Sequence, residues 1–397
     1  MRRIINSLLD NDLYTFSVCY AYLRKFSRAL GQYTFVDRNN SVYPKGFAEK
    51  LKEQFKMIEE LRLSDEELGF MRNKCYYFPN WFFTFLKGFS MDSSELDITQ
   101  DEEGHLHITV SGYLWRTVFW EMPILSTISE LSHELRGEFA HYNREHEYRK
   151  SFNKACRLIE NGVKFSDFGT RRRFSFDHQD LVIQSFVEAQ KKYDKVGFVG
   201  SSNVLLAHKY NITPIGTMSH QFIETCSLFG YTEANYIAMD YWQEVYSGNL
   251  GIYLYDTYTR NAFFKNFTVL HAKLFDGLRV DSGDNVEALE AIISKYKELG
   301  IDPGVKSIVF SNSLNVDEAI ALHHTVNNRM KDSYGIGTHF TCDVDNTEPM
   351  NIVVKLTAAK ITEKRDWKKV VKLSDDHGKY TGDPEEIEIC RKTLGVP

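Results

Sequence analysis

The sequence is poor in the residues that divide or cross-link a chain. It has 8 prolines in 397 residues and no stretch rich in proline, glycine and serine, so composition marks no linker between domains. The six cysteines are scattered and form no CxxC pair. That spacing indicates neither a disulfide framework nor a zinc knuckle, and it favours a reducing compartment.

Long apolar runs are also missing. No run approaches the roughly 18 residues that a membrane span needs. Asp10 and Asp12 interrupt the start of the chain before an apolar stretch of signal-peptide length can develop. We therefore expect a cytoplasmic protein with no membrane partner.

Positive charge is not in excess. Lys plus Arg total 48 against 54 Asp plus Glu, which gives a net charge of −6. This balance argues against a general polyanion-binding surface, so we expect no nucleic acid partner and only a local anion site. The sequence GxxxxGK[ST] does not occur either, which argues against a P-loop kinase.

The region between residues 164 and 340 repeats one pattern: a short apolar run, then small or polar residues, then a helix-like segment. The spacing of the run ends is that of βα units with their crossover helices. Seven such units are close to the eight of a (β/α)8 barrel, which we favour over an open doubly wound sheet because every run ends in polar or small residues. The seven ends lie at Gly169, Gly200, Gly216, Asp256, Asp281, Ser311 and Gly337.

The rest of the chain has a different texture. Residues 1–130 are rich in aromatics and mix strand-like with helical patterns, which predicts an α+β domain. The charged stretch at residues 126–161 predicts one long helix, and the barrel domain is predicted to cover residues 131–344. Another helix is predicted after the capping sequence DSGD (residues 281–284) and ends at Gly300. Its apolar positions are Val286, Leu289, Ile293, Tyr296 and Leu299.

Three polar clusters follow predicted strands: FGTRRRF (residues 168–174), GTMSHQF (216–222) and LRVDSGDN (278–285). In the first, an arginine can bind carboxylate or phosphate through two parallel hydrogen bonds, and a solvated basic helix start is the alternative. In the second, His220 suits a general base or nucleophile, with simple packing as the alternative. Together the clusters predict a site for a phosphorylated substrate.

Carboxylates and small turns complete this prediction. Asp256, Asp281 and Asp284 suit a hydroxyl-rich sugar or a bridging magnesium, and helix capping is their alternative role. The turns at residues 200–203 (GSSN) and 335–338 (GIGT) can offer backbone N–H groups to a phosphate.

These clusters belong to a longer series of motifs that closely resembles the bacterial nicotinate phosphoribosyltransferase family, among the type II phosphoribosyltransferases. The resemblance runs nearly end to end. It implies an α/β fold with an irregular (β/α) barrel inserted into an α+β domain, which the tail at residues 345–397 rejoins. The motifs are SLLDNDLYTF, GYLWRTVFWEMPIL, FGTRRRFS, GSSNVLLA, PIGTMSH, GLRVDSGD, LGIDPGVKSIVFSNSL, SYGIGTHFTCD, PMNIVVKL and KLSDDHGK.

The resemblance also implies a reaction. Nicotinate and phosphoribosyl pyrophosphate give nicotinate mononucleotide and pyrophosphate in NAD salvage, with hydrolysis of ATP coupled to this ligase-type C–N bond formation through a transient phosphohistidine at His220. Mg²⁺ is expected with the phosphate substrates, and its ligands are not assigned. A homodimer with a shared active site is expected.

Site residues follow from the resemblance position by position. The catalytic group comprises His220, Arg279 and Asp281, of which Arg279 and Asp281 hold the donor and its ribose. Phe168 and Tyr14 sandwich the pyridine ring, with Tyr14 supplied by the partner subunit. Arg171 binds the nicotinate carboxylate or the donor phosphates, and Gly337 and Thr338 hold the 5′-phosphate. The other substrate-binding residues are Thr217, Asp256 and Ser311.

The chain departs from the family pattern by losing charge. Gln221, Thr15, Asn312 and Ser313 stand where the pattern has Glu, Lys, Asp and Asn, and Asn261 replaces an expected Asp. We expect these changes to alter the efficiency of ATP coupling.

Other functions stay open on the sequence alone. They are a phosphoribosyltransferase for nicotinamide or quinolinate and a catalytically weakened sensor that binds nucleotides. An unrelated barrel such as an aldolase needs a rim lysine, for which Lys273 and Lys355 are the candidates.

Overall fold

The computed structural model describes residues 2–376 and 380–396, so the last three letters of the KLSDDHGK motif lie outside the described residues. The strands are β1 (Leu30–Asp37), β2 (Leu96–Gln100), β3 (Leu106–Tyr113), β4 (Phe165–Asp167), β5 (Phe198–Ser201), β6 (Thr213–Pro214), β7 (Ile252–Leu254), β8 (Gly277–Val280), β9 (Ser307–Phe310), β10 (Lys331–Ile336), β11 (Ile352–Lys360) and β12 (Lys368–Lys369).

The helices of the described chain vary from one turn to more than four. They are α1 (Leu13–Lys25), α2 (Phe47–Ile58), α3 (Asp65–Lys74), α4 (Asn80–Gly88), α5 (Leu114–Thr117), α6 (Glu121–Leu135), α7 (Arg144–Glu160), α8 (Phe176–Gln190), α9 (Val204–Lys209), α10 (His220–Cys226), α11 (Ala234–Tyr246), α12 (Arg260–Asn266), α13 (Val269–Leu274), α14 (Asn285–Glu298), α15 (Val316–Val326), α16 (Thr338–Thr341) and α17 (Pro384–Leu394).

Seven parallel strands form one curled sheet in the order β6-β5-β4-β10-β9-β8-β7. Each strand lies where an apolar run was predicted, so the seven βα units and the irregular barrel are confirmed. The strands are short, and their buried side chains include aromatic and branched residues such as Phe165, Leu278 and Ile308. The polar residues that follow the strands consequently gather at the carboxyl edge of one sheet.

A second sheet joins the two ends of the chain. Its order is β12-β11-β1-β3-β2, and β1 pairs antiparallel with both β3 and β11. Strands from the first 130 residues and from the tail therefore share one sheet. The exact domain limits of 1–130, 131–344 and 345–397 stay a prediction.

The single long helix predicted over residues 126–161 is wrong. The chain instead forms α6, a short 3₁₀ turn at Glu138–His141, and α7. Gly137 separates the two helices in a left-handed conformation, with φ of 74°, which residues other than glycine adopt at a cost. Asn143 then caps α7 by accepting a hydrogen bond from the His146 N–H.

The helix predicted after DSGD is confirmed as α14. The Asp284 carboxylate accepts hydrogen bonds from the N–H groups of Val286 and Glu287, and Gly300 ends the segment with φ of 71°. Val286 is 43% exposed, so it does not belong to the apolar face that was predicted for it. None of the described helices is long and apolar enough to cross a membrane.

Candidate active site

Two adjoining cavities open at the carboxyl edge of the parallel sheet. The first has a volume of about 800 Å³ and the second about 1310 Å³, in part open to solvent. Besides shared residues, the first is lined by Asp12, Tyr14, Tyr33, Glu121, Ser202, Ile215, Gly216, Met218, Ser219, His220, Gln221, Glu224, Leu254, Val354 and Leu356. The second is lined by Arg38, Gly169, Arg172, Ser282, Ser311, Asn312, Ser313, Leu314, Gly335, Gly337, Thr338, His339, Val353, Lys372, Ser374, Asp376 and Thr381.

Five residues line both cavities and so mark the border between them: Phe168, Arg171, Arg279, Asp281 and Lys355. The Arg279 guanidinium carbon lies 5.5 Å from the centre of the Phe168 ring, a cation–π contact. A ligand that spans the border therefore meets an aromatic face, two arginines, a lysine and a carboxylate.

Asp281 is the centre of the polar contacts at this border. Its Oδ1 accepts hydrogen bonds from Arg279 Nη2 at 2.8 Å and from the Ser311 hydroxyl at 2.7 Å. Burial acts to raise the pKa of Asp281, but Arg279 and the contact with His220 outweigh it and hold the pKa well below its usual value. Asp281 is therefore ionised at neutral pH.

His220 begins α10 and is held from three sides. Its Nδ1 lies 3.1 Å from the Thr257 hydroxyl, and its Nε2 lies 3.0 Å from Asp281 Oδ2 and 3.2 Å from Lys372 Nζ. Burial first, and then the charge of Lys372, lower the pKa of His220 to about 3. The neutral imidazole carries a lone pair on one ring nitrogen, and this is the form that acts as a nucleophile.

A pH titration tests this protonation state. Because burial lowers the pKa of His220 from 6.5 to about 3, we expect its ring resonances in NMR to stay unchanged between pH 8 and pH 5. The folded chain binds this proton more weakly than the unfolded chain, so His220 reduces stability only as the pH falls below 6.5. A titration midpoint near 6.5 for an assigned His220 resonance contradicts this description.

Tyr14 lies on the first cavity, as the resemblance implied, but not in the implied way. It belongs to α1 of the same chain as Phe168, and its hydroxyl donates a hydrogen bond to Glu121 Oε2 at 2.6 Å. The expectation that a partner subunit supplies Tyr14 is therefore corrected. One chain brings both aromatic rings to the cavity.

The three consecutive arginines have different environments. Arg171 and Arg172 line the cavities, and Arg171 Nη1 lies 3.8 Å from Glu121 Oε1. Arg173 is fully buried and donates hydrogen bonds to both carboxylate oxygens of Asp10, at 2.6 and 2.7 Å. The alternative of a solvated basic helix start is thus wrong, and only two of the three arginines can meet a ligand.

Most of the other predicted residues also reach a cavity. Ser311, Gly337 and Thr338 line the second one. Thr217 and Asp256 line neither. The Thr217 hydroxyl donates to the backbone oxygen of Ile252, and buried Asp256 accepts a hydrogen bond from Ser282.

The charge-removing departures have local explanations. Gln221 accepts a hydrogen bond from the Tyr33 hydroxyl at 2.7 Å, and the Asn312 amide donates to the Gly283 carbonyl at 2.8 Å. Asn261 is exposed on α12 and lines neither of the two cavities. The replacement of the expected Asp by Asn261 therefore removes no charge from the surface of these cavities.

Sequence reasoning missed seven charged residues that line the cavities: Asp12, Arg38, Glu121, Glu224, Lys355, Lys372 and Asp376. Lys355 was considered only as an aldolase lysine. Glu121 lies in the GYLWRTVFWEMPIL motif, Lys355 in PMNIVVKL and Lys372 in KLSDDHGK. The presence of these residues in motifs of the family pattern could have indicated a role in the site. Without the fold, however, the sequence does not show that they lie near His220.

One group of possible metal ligands lies away from the cavities. His146, Glu147 and Asp345 have ligand atoms within 4.8 Å of one another. The Lys150 ammonium already lies 2.9 Å from Asp345 and 3.8 Å from Glu147. A lysine therefore supplies the positive charge in this group.

Gly335 on β10 leaves the space that the Phe168 ring occupies. A Cβ at this position lies 2.4 Å from two atoms of that ring. We expect Gly335→Ala to push Phe168 into the border between the cavities. Overpacking of this kind costs about 1–3 kcal/mol of stability. We expect the displaced ring to weaken the binding of the ligand that stacks on Phe168 by about 1.4 kcal/mol, which is a roughly tenfold rise in its KM. Gly69→Ala is the control, because a Cβ added at Gly69 meets no atom of the described residues within 4 Å. Equal KM values for the two variants contradict the role of Phe168.

An irregular α/β barrel with a neutral histidine, an ionised aspartate and several cations around two joined cavities is the arrangement of an enzyme that handles anionic substrates. Family comparison agrees with this class. A model described as the nicotinate phosphoribosyltransferase (NAPRTase) family matches residues 163–397, and one for the N-terminal domain of the same family matches residues 9–129. The chain belongs to the nicotinate phosphoribosyltransferase family.

Individual relatives are similar over their whole length. The chain is 39% identical over 393 residues to a nicotinate phosphoribosyltransferase of Desulforapulum autotrophicum, covering 98% of this chain and 99% of that protein. The crystal structure of nicotinate phosphoribosyltransferase from Porphyromonas gingivalis is 41% identical, with a TM-score of 0.94, and the match covers 99% of this chain and all of the other. A crystal structure of a putative nicotinate phosphoribosyltransferase from Saccharomyces cerevisiae is 32% identical, with the same TM-score and full coverage of both chains.

Proposed function

We propose that the protein transfers a phosphoribosyl group from phosphoribosyl pyrophosphate to the ring nitrogen of nicotinate, forming nicotinate mononucleotide and pyrophosphate for NAD salvage. The observation that carries this proposal is the border between the two cavities. An aromatic cavity with Tyr14 and Phe168 meets a basic one with Arg172 and Lys372, and Asp281 lies between them. A flat ring and a phosphorylated sugar can therefore meet at one point.

The pyridine ring lies between Phe168 and Tyr14, with its nitrogen towards the border. The nitrogen lone pair forms the bond to the anomeric carbon while the bond from that carbon to the pyrophosphate oxygen breaks. Positive charge develops on the sugar in this step, and the ionised Asp281 stabilises it. Arg279, held by Asp281 and Ser311, binds the donor.

The phosphates of the donor lie in the second cavity. Arg38 and Arg172 line it, and neither side chain makes a hydrogen bond within residues 2–376 and 380–396. Gly337 and Thr338 bind the 5′-phosphate. Asp256 and Asp281 would hold Mg²⁺, because Oδ1 of buried Asp256 has no hydrogen-bond partner among the described residues and Asp281 is one of the charges that act on Asp256. The ion would neutralise phosphate charge.

His220 couples the reaction to ATP. Its neutral imidazole attacks the terminal phosphorus of ATP, the N–P bond forms, and the bond to ADP breaks. Lys372, 3.2 Å from Nε2, neutralises the charge of the new phosphoryl group. Hydrolysis of the phosphohistidine after transfer restores the imidazole. The homodimer and the cytoplasmic location stay predictions.

Pyrophosphate release tests the substrate. The purified protein is supplied with phosphoribosyl pyrophosphate and one pyridine at a time: nicotinate, nicotinamide or quinolinate. We expect release that depends on nicotinate. Release with another pyridine alone supports the alternative transferases. Ligand-dependent thermal stabilisation without release from any pyridine contradicts the proposal and supports the sensor.

A further inference from the structure

Lys355 is a cation at the border that the protein itself leaves unpaired. It lies on β11, and its neighbours Val354 and Leu356 are buried. Within residues 2–376 and 380–396 its ammonium makes no hydrogen bond and no ion pair. The other cations of the first cavity are engaged: Arg279 by Asp281 and Ser311, and Arg171 by Glu121.

The surroundings of Lys355 keep it charged although it is poorly hydrated. Burial first, and then Lys372, lower the pKa of Lys355 to about 8, while Glu121 and Glu224 act to raise it. Burial raises the pKa of Glu224 to about 7, and one of its carboxyl oxygens has no hydrogen-bond partner in the described part of the chain. An ammonium in such a place gains more from an incoming anion than an ammonium in water does.

Arg171, Arg279 and Lys355 line both cavities, whereas Arg38, Arg172 and Lys372 line only the second. The second contains Arg38 and Arg172, whose side chains are free of protein hydrogen bonds, and these suffice for phosphate groups. In the first, the cation left free among the described residues is Lys355. When an aromatic ring that carries a carboxylate enters this cavity, the Lys355 ammonium is the free cation with which the carboxylate can pair.

We propose that the Lys355 ammonium binds the carboxylate of the pyridine substrate and makes the enzyme prefer the acid over the amide. This assignment rests on the proposed function. It places the substrate carboxylate on Lys355, whereas the resemblance implied Arg171 as its partner. Nicotinamide has no negative charge and gains little from the ammonium. Lys355 is therefore a specificity-determining residue, separate from the nucleophile His220.

Steady-state kinetics of Lys355→Met test this proposal. We expect the KM for nicotinate to rise roughly 10- to 100-fold, since hydrogen bonds between charged groups are worth about 1.5–3 kcal/mol. The KM for phosphoribosyl pyrophosphate should change less than about twofold, and the preference for nicotinate over nicotinamide should fall by the same factor as the affinity for nicotinate. Lys355→Arg should recover part of the preference, because it restores the charge.

The control is Lys360→Met, the same change on the same strand at a residue that lines neither cavity and lies 4.7 Å from the Trp367 ring. A raised KM for phosphoribosyl pyrophosphate with an unchanged KM for nicotinate would place Lys355 on the donor phosphates and overturn the proposal. If Lys355→Met leaves the KM values for nicotinate and for phosphoribosyl pyrophosphate unchanged while Arg171→Met raises the nicotinate KM, then Arg171 binds the carboxylate and the proposal is wrong. If Lys355→Met does not fold, Lys355→Gln takes its place. Wild-type protein without nicotinate turnover refutes the proposed function, independently of Lys355.

Discussion

We expect His220→Ala to lose all phosphoryl transfer from ATP to the protein. Incubation of the wild type with ATP labelled on the γ-phosphate should give an acid-labile, base-stable phosphoprotein, and the variant should give only background label. The imidazole is the group that lies within 3.2 Å of both Asp281 and Lys372, so its removal leaves no nucleophile at that point. The rate of nucleotide formation in the variant should equal the ATP-free rate of the wild type.

The matched control is His324→Ala, which removes an exposed imidazole on α15 outside both cavities. It should label and respond to ATP as the wild type does. Label that persists in His220→Ala locates the phosphoryl group elsewhere. If the wild type takes up no label but still forms the nucleotide, the enzyme works without ATP coupling. The losses of charge at Gln221 and Asn312 are then the sequence differences that accompany this change.

We expect Arg173→Met to destabilise the fold strongly, although Arg173 lines neither cavity. Arg173 and Asp10 are at most 1% exposed at their side chains and form two parallel hydrogen bonds. Asn203 also donates to Asp10, at 2.7 Å. Breaking a buried pair by removing one partner costs about 3–5 kcal/mol, because the remaining charge is buried without compensation. Urea unfolding of the variant should show this loss as a lower midpoint.

The neighbouring arginine provides the contrast. Arg172→Met removes a side chain that lines the second cavity and makes no side-chain hydrogen bond to the described protein. Its free energy of unfolding should lie within about 0.5 kcal/mol of the wild type. Equal stabilities of the Arg172 and Arg173 variants contradict the division of these residues into a ligand-facing and a structural one. If the double variant Arg173→Met with Asp10→Leu recovers part of the lost free energy of unfolding, the structural role of Arg173 is supported.

The barrel was predictable because its signal is local. Each of the seven strands is a short apolar run that ends in polar or small residues, and the clusters at Phe168, His220 and Asp281 all lie at those ends. Parallel strands have their carboxyl ends at one edge, so a local pattern was enough to bring these residues together. The long helix failed because the charged pattern continues through Gly137, whose positive φ ends the helical geometry.

The rest of the site depends on contacts between distant parts of the chain. Lys355 lies on β11 and Lys372 follows β12, more than a hundred residues beyond His220. The pairing of β11 with β1 and with β12 brings them to the site. Likewise, the three consecutive arginines at residues 171–173 do not reveal which of them is buried. That depends on Asp10, which lies near the amino terminus and pairs with Arg173. Such pairings are set by tertiary packing and are invisible to local periodicity.

The most direct test of the account is product analysis of the purified wild type with nicotinate and phosphoribosyl pyrophosphate. Mass spectrometry and a pyrophosphate assay measure the nucleotide and the leaving group in the same reaction. We predict nicotinate mononucleotide and pyrophosphate in equal amounts, with ATP raising the rate. Pyrophosphate without the nucleotide, or neither product from a folded protein that binds both substrates, would contradict transfer at the border of the two cavities.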